Sequence, residues 1–318
     1  MIFAISIAVA LLTAAALYQL RPDLVYALAM WAERRLAGLR NERVRVADHD
    51  VTLLRGGRGE PVLMLHGFGA DRYHWPRMAR HLSRHYEIAA PDLPGFGVSS
   101  CLTQDRYGLH EQVARLVALL DALAWDRVHL VGNSMGGHLA AALARAHPQR
   151  VRSLALLDAA GVDPQASTEF NEALAAGTNL LLADSRRDFR RLTAMMFVQP
   201  PFLPGRVLDY LGDQATARNG WNARVFDQYR ESFEPLEQGP AMPDVPALVL
   251  WGQEDRVLPV EDAQVFARLL PQAEVVLLPQ TGHLPMLERP REVATHCQRL
   301  FQRTQGAPGP QGSSREST

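Results

Sequence analysis

From Val44 onward, short continuous apolar runs alternate with longer amphipathic segments. The runs Val44–Ala47, Val51–Arg55, Pro61–Leu65, Tyr86–Ala90, Val128–Val131, Val151–Asp158, Ala247–Trp251 and Glu274–Leu278 predict strands. Their shortness and the turn residues around them separate them from helices. Trp75–Leu82, Leu109–Leu123, Met135–Ala146, Val260–Leu270 and Pro290–Gln302 read as helices. A strand such as Pro-Val-Leu-Met-Leu at 61–65 is apolar at every position, so both of its faces must be covered. Strands alternating with helices predict an α/β fold: a mostly parallel central sheet with helices on both faces.

One stretch departs from that alternation. Residues 161–246 carry helical patterns and no convincing strand, which predicts a helical cap inserted into the main domain of 44–302. Residues 303–318 are rich in Gly, Pro, Ser and Gln and read as a disordered tail. The other end is strongly apolar. Ile2 to Leu20 carries no charged side chain and is long enough to cross a bilayer as a helix. We read residues 1–20 as a single-pass membrane anchor. A cleaved signal peptide, which would make the protein secreted or periplasmic, and a helix packed on the domain are the alternatives. Residues 21–43 read as an amphipathic linker helix, with Leu24, Leu28, Trp31, Ala32 and Leu36 near helical spacing. Such a segment suits either a membrane surface or a packed face. Arg21, Arg34, Arg35, Arg40, Arg43 and Arg45 all follow the apolar run, which places the domain on the cytoplasmic side.

Composition narrows the classes further. A chain of 318 residues with 47% hydrophobic and 21% charged positions buries a substantial core. A formal net charge of -1 gives no reason to expect a nucleic-acid partner. Cys101 and Cys297 are too few for a disulfide framework. Neither a metal motif nor a nucleotide motif is present, so no cofactor is expected.

The candidate chemistry lies at strand ends. Gly132-Asn133-Ser134-Met135-Gly136 fits G-x-S-x-G, between a strand and a helix. That context is a tight turn that lifts a serine hydroxyl out of the sheet. A serine hydroxyl needs a base. His283, after the last strand, is the candidate, and Asp255, after the strand before it, is the candidate acid that orients the imidazole. Asp158 and Glu254 are alternative acids at nearby strand ends. His66-Gly67-Phe68-Gly69 follows another strand and fits the H-G-x-G loop. The backbone N–H groups of Phe68 and Met135 would then face a developing oxyanion. The ring of His66 reads as structural, bonding backbone to hold its turn.

These motifs, with Asp92-Leu93-Pro94-Gly95-Phe96-Gly97-Val98-Ser99, resemble the α/β-hydrolase superfamily over residues 44–302. Within it the chain looks most like membrane-anchored monoacylglycerol lipases and related bacterial lipases. That likeness rests on the anchor, on Leu65-His66-Gly67-Phe68 with Trp75 downstream, and on the cap segment 196–204. The resemblance implies a carboxylic ester hydrolase with catalytic Ser134, Asp255 and His283, acting on esters with one long acyl chain. Met196, Phe197 and Phe202 are candidate substrate contacts on the cap. Carbon–carbon hydrolases of aromatic ring cleavage share Gly-Asn-Ser-Met-Gly-Gly and form the alternative enzyme class; they usually carry a different loop from Phe68-Gly69-Ala70-Asp71. A non-catalytic ligand-binding protein on the same fold is the alternative outside enzymes, and such proteins tend to lose the nucleophile or the base.

Overall fold

The computed structural model describes residue 6 and residues 17–304. The proposed anchor and the proposed disordered tail therefore lie outside the described residues, except for Ser6, residues 17–20 and the start of the tail. Among the described residues, no helix is long and apolar enough to cross a membrane.

Helix α1 (Pro22–Leu36) has the charges its ends call for. Pro22 opens it, Asp23 lies in its first turn, and Arg34 and Arg35 lie in its last. It stops short of the expected boundary near residue 43. Gly38 takes φ +68, which lets the chain turn, and strand β1 (Leu39–Val46) begins at once. Pairing with β2 (His49–Gly57), from Leu39↔Gly56 to Val46↔His49, supplies the backbone partners that favour a strand here. The expected strand Val44–Ala47 is its second half; the mostly polar residues 39–43 hide the first half from apolar patterning.

The remaining strands are β3 (Glu60–Leu65), β4 (Tyr86–Pro91), β5 (Val128–Ser134), β6 (Val151–Ala159), β7 (Ala247–Gly252) and β8 (Glu274–Leu278). They form one eight-stranded sheet in the order β1-β2-β4-β3-β5-β6-β7-β8. Only the β1–β2 and β2–β4 pairs are antiparallel. From β4 through β3 to β8, every neighbour is parallel. This is the mostly parallel sheet that the alternating pattern predicts.

The fully apolar strands are covered on both faces, as expected. Leu63 and Leu65 pack into one core cluster, with Leu116, Leu130 and Leu139. Val62 and Met64, their immediate neighbours, pack into a second cluster with Trp75, Val131 and Phe301. The strand period of two divides each run between the faces. Helices α3 (Leu109–Ala122) and α4 (Met135–Ala146) bury residues in the first cluster. Helix α11 (Pro290–Arg303) covers the second. The helix expected over 75–82 is shorter: a 3-10 turn at Arg72–His74 leads into α2 (Pro76–Ala79).

Between β6 and β7 the chain forms α5 (Glu169–Ala175), α6 (Arg186–Met196), α7 (Gly205–Ala217) and α8 (Asn219–Glu231), with no strand. This is the helical cap. It has its own apolar cluster of Phe170, Leu180, Met195 and Phe226 with Val257 of the main domain. Helix α1 touches both parts: Glu33 pairs with Arg77 at 2.7 Å, and the Tyr26 ring lies 6.2 Å from that of Tyr210 on α7.

Leu130 is fully buried at the middle of this arrangement. Leu130→Ala is expected to lower unfolding free energy by about 2–5 kcal/mol, since the sheet and helices around it collapse only in part. Urea denaturation followed by circular dichroism measures the change; a loss well under 1 kcal/mol would contradict the close packing described.

Candidate active site

Four adjacent parallel strands deliver the candidate residues to one rim. Ser134 ends β5, Asp158 lies next to the end of β6, Asp255 follows β7 and His283 follows β8. Open α/β sheets gather functional groups at the carboxyl ends of their strands.

Ser134 adopts φ 55 and ψ -124, a conformation that a residue with a side chain rarely takes. The surrounding glycines make it feasible. A Cβ on Gly132 would stand 2.2 Å from the Gly136 carbonyl oxygen, and one on Gly136 would stand 2.2 Å from that of Leu65. The turn is thus pressed against its own helix and against β3. Helix α4 begins at the next residue, so its positive end faces the serine. Ser134 is half-buried between neighbours that are buried.

His283 and Asp255 meet directly. The imidazole Nδ1 lies 2.7 Å from Asp255 Oδ2, and both side chains are almost fully enclosed. Asp255 Oδ1 accepts the N–H groups of Val257 at 2.7 Å and Leu258 at 3.2 Å. These bonds fix the carboxylate so that Oδ2 meets the imidazole. An Nδ1–H donated to that carboxylate leaves the other ring nitrogen, Nε2, free to accept a proton.

The histidine loop is tied to the serine turn through Asn133. Its Nδ2 donates to the carbonyl oxygens of Leu157 and His283, both at 3.0 Å. Sequence reading passed over Asn133 as an unspecified position in the motif. It also passed over Glu288, on the short helix α10 (Pro285–Glu288). Glu288 Oε1 accepts Gly282 N–H at 2.8 Å, and Oε2 accepts those of Val198 at 3.1 Å and Gln199 at 2.6 Å. One carboxylate thereby joins the histidine loop to the cap. An acidic residue soon after His283 was its only signal in the sequence.

The alternative acids take other positions. Glu254 Oε2 accepts Thr281 N–H at 3.0 Å, which holds the strand-end loops together. Asp158 is buried beside the pair, and its Oδ1 accepts Gly252 N–H at 2.8 Å. Burial and the nearby Asp255 carboxylate push the Asp158 pKa well above the usual carboxylate range. Asp158, Asp255 and His283 present donor atoms within 4.8 Å of one another. The short histidine–aspartate bond already occupies two of those donors, so the cluster does not fit a metal site.

The H-G-x-G loop lies against the serine: a Cβ on Gly67 would stand 3.0 Å from Ser134 Cβ. The His66 ring holds this loop as expected, with Nε2 accepting Leu93 N–H at 3.0 Å and Nδ1 at 2.7 Å from the Gly67 carbonyl. Burial lowers its pKa, which keeps the ring neutral and suited to that pair of bonds. The Phe68 ring packs edge-on against Phe96 and Phe226, at 5.6 and 5.2 Å. It bridges the main core and the cap cluster.

Of the cap residues singled out in the sequence, Met196 and Phe197 lie at the histidine loop. The Met196 carbonyl accepts His283 N–H at 2.9 Å. Both side chains are partly buried against the second core cluster. Phe202 is 88% exposed and points to solvent instead. Phe170, Leu180, Met195 and Phe226 form the apolar interior of the cap. Those positions are scattered over three helices and a loop, so sequence alone did not group them.

The fold, the turn at Ser134 and the buried histidine–aspartate pair define a class of α/β enzymes with a nucleophile at a strand-to-helix turn. Comparison with known proteins agrees. Residues 60–290 match the family described as alpha/beta hydrolase fold, and the chain belongs to that family. Lipase 1 of Psychrobacter immobilis is 33% identical over 238 residues, covering 74% of this chain and 75% of that one. Monoacylglycerol lipase ABHD6 of Homo sapiens is 28% identical over 306 residues, covering 91% and 90%. Among solved structures, a membrane phospholipase A described as a bacterial virulence factor superposes with TM-score 0.88 at 40% identity, over 96% of this chain and 99% of that chain. A 2-hydroxy-6-oxo-6-phenylhexa-2,4-dienoate hydrolase of Rhodococcus reaches TM-score 0.71 at 24% identity, over 83% and 99%, a likeness of fold alone. This chain is a hydrolase of the lipase and esterase type, a carboxylic ester hydrolase.

Asn133→Ala is expected to cost about 1–3 kcal/mol of stability, because two buried carbonyls lose their donor. It should also lower kcat by up to about 100-fold through misplacement of the histidine loop. Denaturant unfolding and ester turnover measure the two effects; an unchanged kcat would show that the loop holds its place without this bond.

Proposed function

We propose that the protein hydrolyses lipid esters with a single acyl chain, of the monoacylglycerol type, through a covalent acyl-enzyme on Ser134. His283 takes the Ser134 hydroxyl proton as Oγ attacks the acyl carbon, and then gives it to the leaving alcohol. A water molecule, deprotonated by the same imidazole, releases the fatty acid. Asp255 holds the ring tautomer and offsets the imidazolium charge. The backbone N–H groups of Phe68 and Met135 stabilise the oxyanion, with help from the positive end of α4. The observation that carries this reading is the 2.7 Å bond between His283 and Asp255, buried beside a serine held at φ 55.

The cap and the relatives support the choice of a single acyl chain. The apolar cluster of Phe170, Leu180, Met195 and Phe226, with Phe68 packed against it, suits a hydrocarbon tail. We assign Met196 and Phe197 to the wall nearest the base, and the exposed Phe202 to the rim where lipid enters. Relatives named lipase and monoacylglycerol lipase support the choice of substrate.

We also place the enzyme at a membrane through its N-terminal segment, with the catalytic domain on the cytoplasmic side. The run 2–20 is apolar, and arginines follow it closely. Leu20, Leu24, Leu28, Trp31 and Leu36, at or next to α1, are exposed by 44% to 76%. Such an apolar helix face fits the interfacial layer of a bilayer. A membrane phospholipase is among the structural neighbours.

Ser134→Ala should abolish both turnover and labelling by a fluorophosphonate probe, with folding intact. Asp255→Asn should lose about 10⁴-fold in kcat through the wrong tautomer. Rates on nitrophenyl esters of graded length and on monoacylglycerols should favour long chains, with none on a ring-cleavage dienone. Preference for the dienone, or probe labelling away from Ser134, would overturn the reading.

Removing residues 1–20 should shift the protein from the membrane fraction towards the soluble one, read by flotation with lipid vesicles. Adding Leu24→Ser, Leu28→Ser and Trp31→Ser should release what remains. Full retention in the multiple variant would refute both contacts.

A further inference from the structure

The mechanism above gives no work to Asp158, yet Asp158 is fully buried beside the acid at the site. It takes φ 43 at the end of β6. Its Oδ1 has a donor, Gly252 N–H, while Oδ2 is enclosed without a hydrogen-bond partner among ordinary donors. The charged and titratable groups that face it are Asp255 and His283, from the loops after β7 and β8, and Glu288 on α10. Glu288 is itself occupied by the N–H groups of Gly282, Val198 and Gln199. The His283 Nδ1 is committed to Asp255.

Two carboxylates so close, both buried, do not both stay ionised. The donors decide which one takes the proton. Asp255 receives two backbone N–H groups and the imidazole N–H. Asp158 receives one backbone N–H. The proton therefore settles on Asp158, which has the fewer donors. This leaves Asp158 Oδ2 as a hydroxyl in search of an acceptor, with the Asp255 carboxylate beside it.

We propose that Asp158 is a neutral carboxylic acid whose Oδ2–H donates to the Asp255 carboxylate, making Asp158 a positioning residue for the acid of the site. The inference rests on the reading of Asp255 given above. The proton stays on Asp158 throughout the cycle, and only the proton passed from Ser134 to His283 and on to the leaving group moves. The bond holds Asp255 in the plane that meets Nδ1. It also shares the Asp255 negative charge between two donors, the imidazole N–H and the Asp158 hydroxyl.

The test compares the full-length protein with Asp158→Asn and Asp158→Ala. Asparagine tolerates a left-handed backbone, and its amide can accept from Gly252 while donating to Asp255. Asp158→Ala should lower kcat by about 10- to 100-fold with little change in KM, and move the acidic limb of kcat/KM upward by about half a pH unit to one unit. Asp158→Asn should recover most of that loss and keep the limb in place. A purely packing role would leave the pH profile unmoved in both variants, which would overturn the proposal. A limb that falls by about one pH unit or more in Asp158→Asn would mean a charged Asp158, and would also overturn it. Infrared difference spectra at about pH 8, wild type against Asp158→Asn with labelled aspartate carboxyls, should show one neutral carboxylic acid band lost. The absence of that band refutes the proposal whether or not either variant turns over. Failure of the wild type to react with the fluorophosphonate probe removes the serine mechanism instead, and is thus a separate result.

Discussion

The close backbone contact at the end of β5 is the constraint on which the site depends. Gly132 presses on the Gly136 carbonyl and Gly136 on that of Leu65 in β3, so no side chain fits at either position. That contact turns the chain sharply enough to put Ser134 at φ 55, a conformation unfavourable for the residue taken alone. The cost is met by burial on both sides, since β5 sits between β3 and β6 and α4 packs against it. A loop on the surface could not hold a serine this way, whereas a central strand in a dense core can.

The rest of the site is arranged from that fixed point by hydrogen bonds rather than by apolar packing. Asn133 reaches across to the carbonyl of His283, and the cap is drawn to the same loop by Met196 and Glu288. The cap and the His283 loop therefore share one anchor. Displacement of the cap would pull on the loop that holds His283. Helix α1 adds a second link, since it contacts both the main domain and α7. A membrane that orients α1 would orient the cap as well.

Charge at the rim is sorted by the number of donors. Asp255 is rich in N–H partners, while Asp158, with one, is pushed towards neutrality. Two residues of the same type, at the ends of neighbouring strands, thereby meet different surroundings. Their difference comes from the backbone around them and not from the side chains themselves.

The apolar runs determined the sheet, because strands without a polar face must be covered on both sides. Met64 and Leu65, adjacent in sequence, do enter opposite core clusters. Local chemistry likewise marked Ser134, Asp255 and His283, since each motif is a few residues at a strand end. Only the second half of the edge strand β1 was legible, as Val44–Ala47; the mostly polar residues 39–43 escaped, because their strand is set by pairing with β2 and not by apolar content. Sequence put Asp255 first among the acids but left Asp158 and Glu254 open as alternatives. Asp158, Glu254 and Asp255 all end or follow a strand, and only the folded backbone decides which receives the imidazole and which receives a single N–H. Hydrogen-bond partners distant along the chain carry no local pattern, so the choice among equal side chains belongs to tertiary structure.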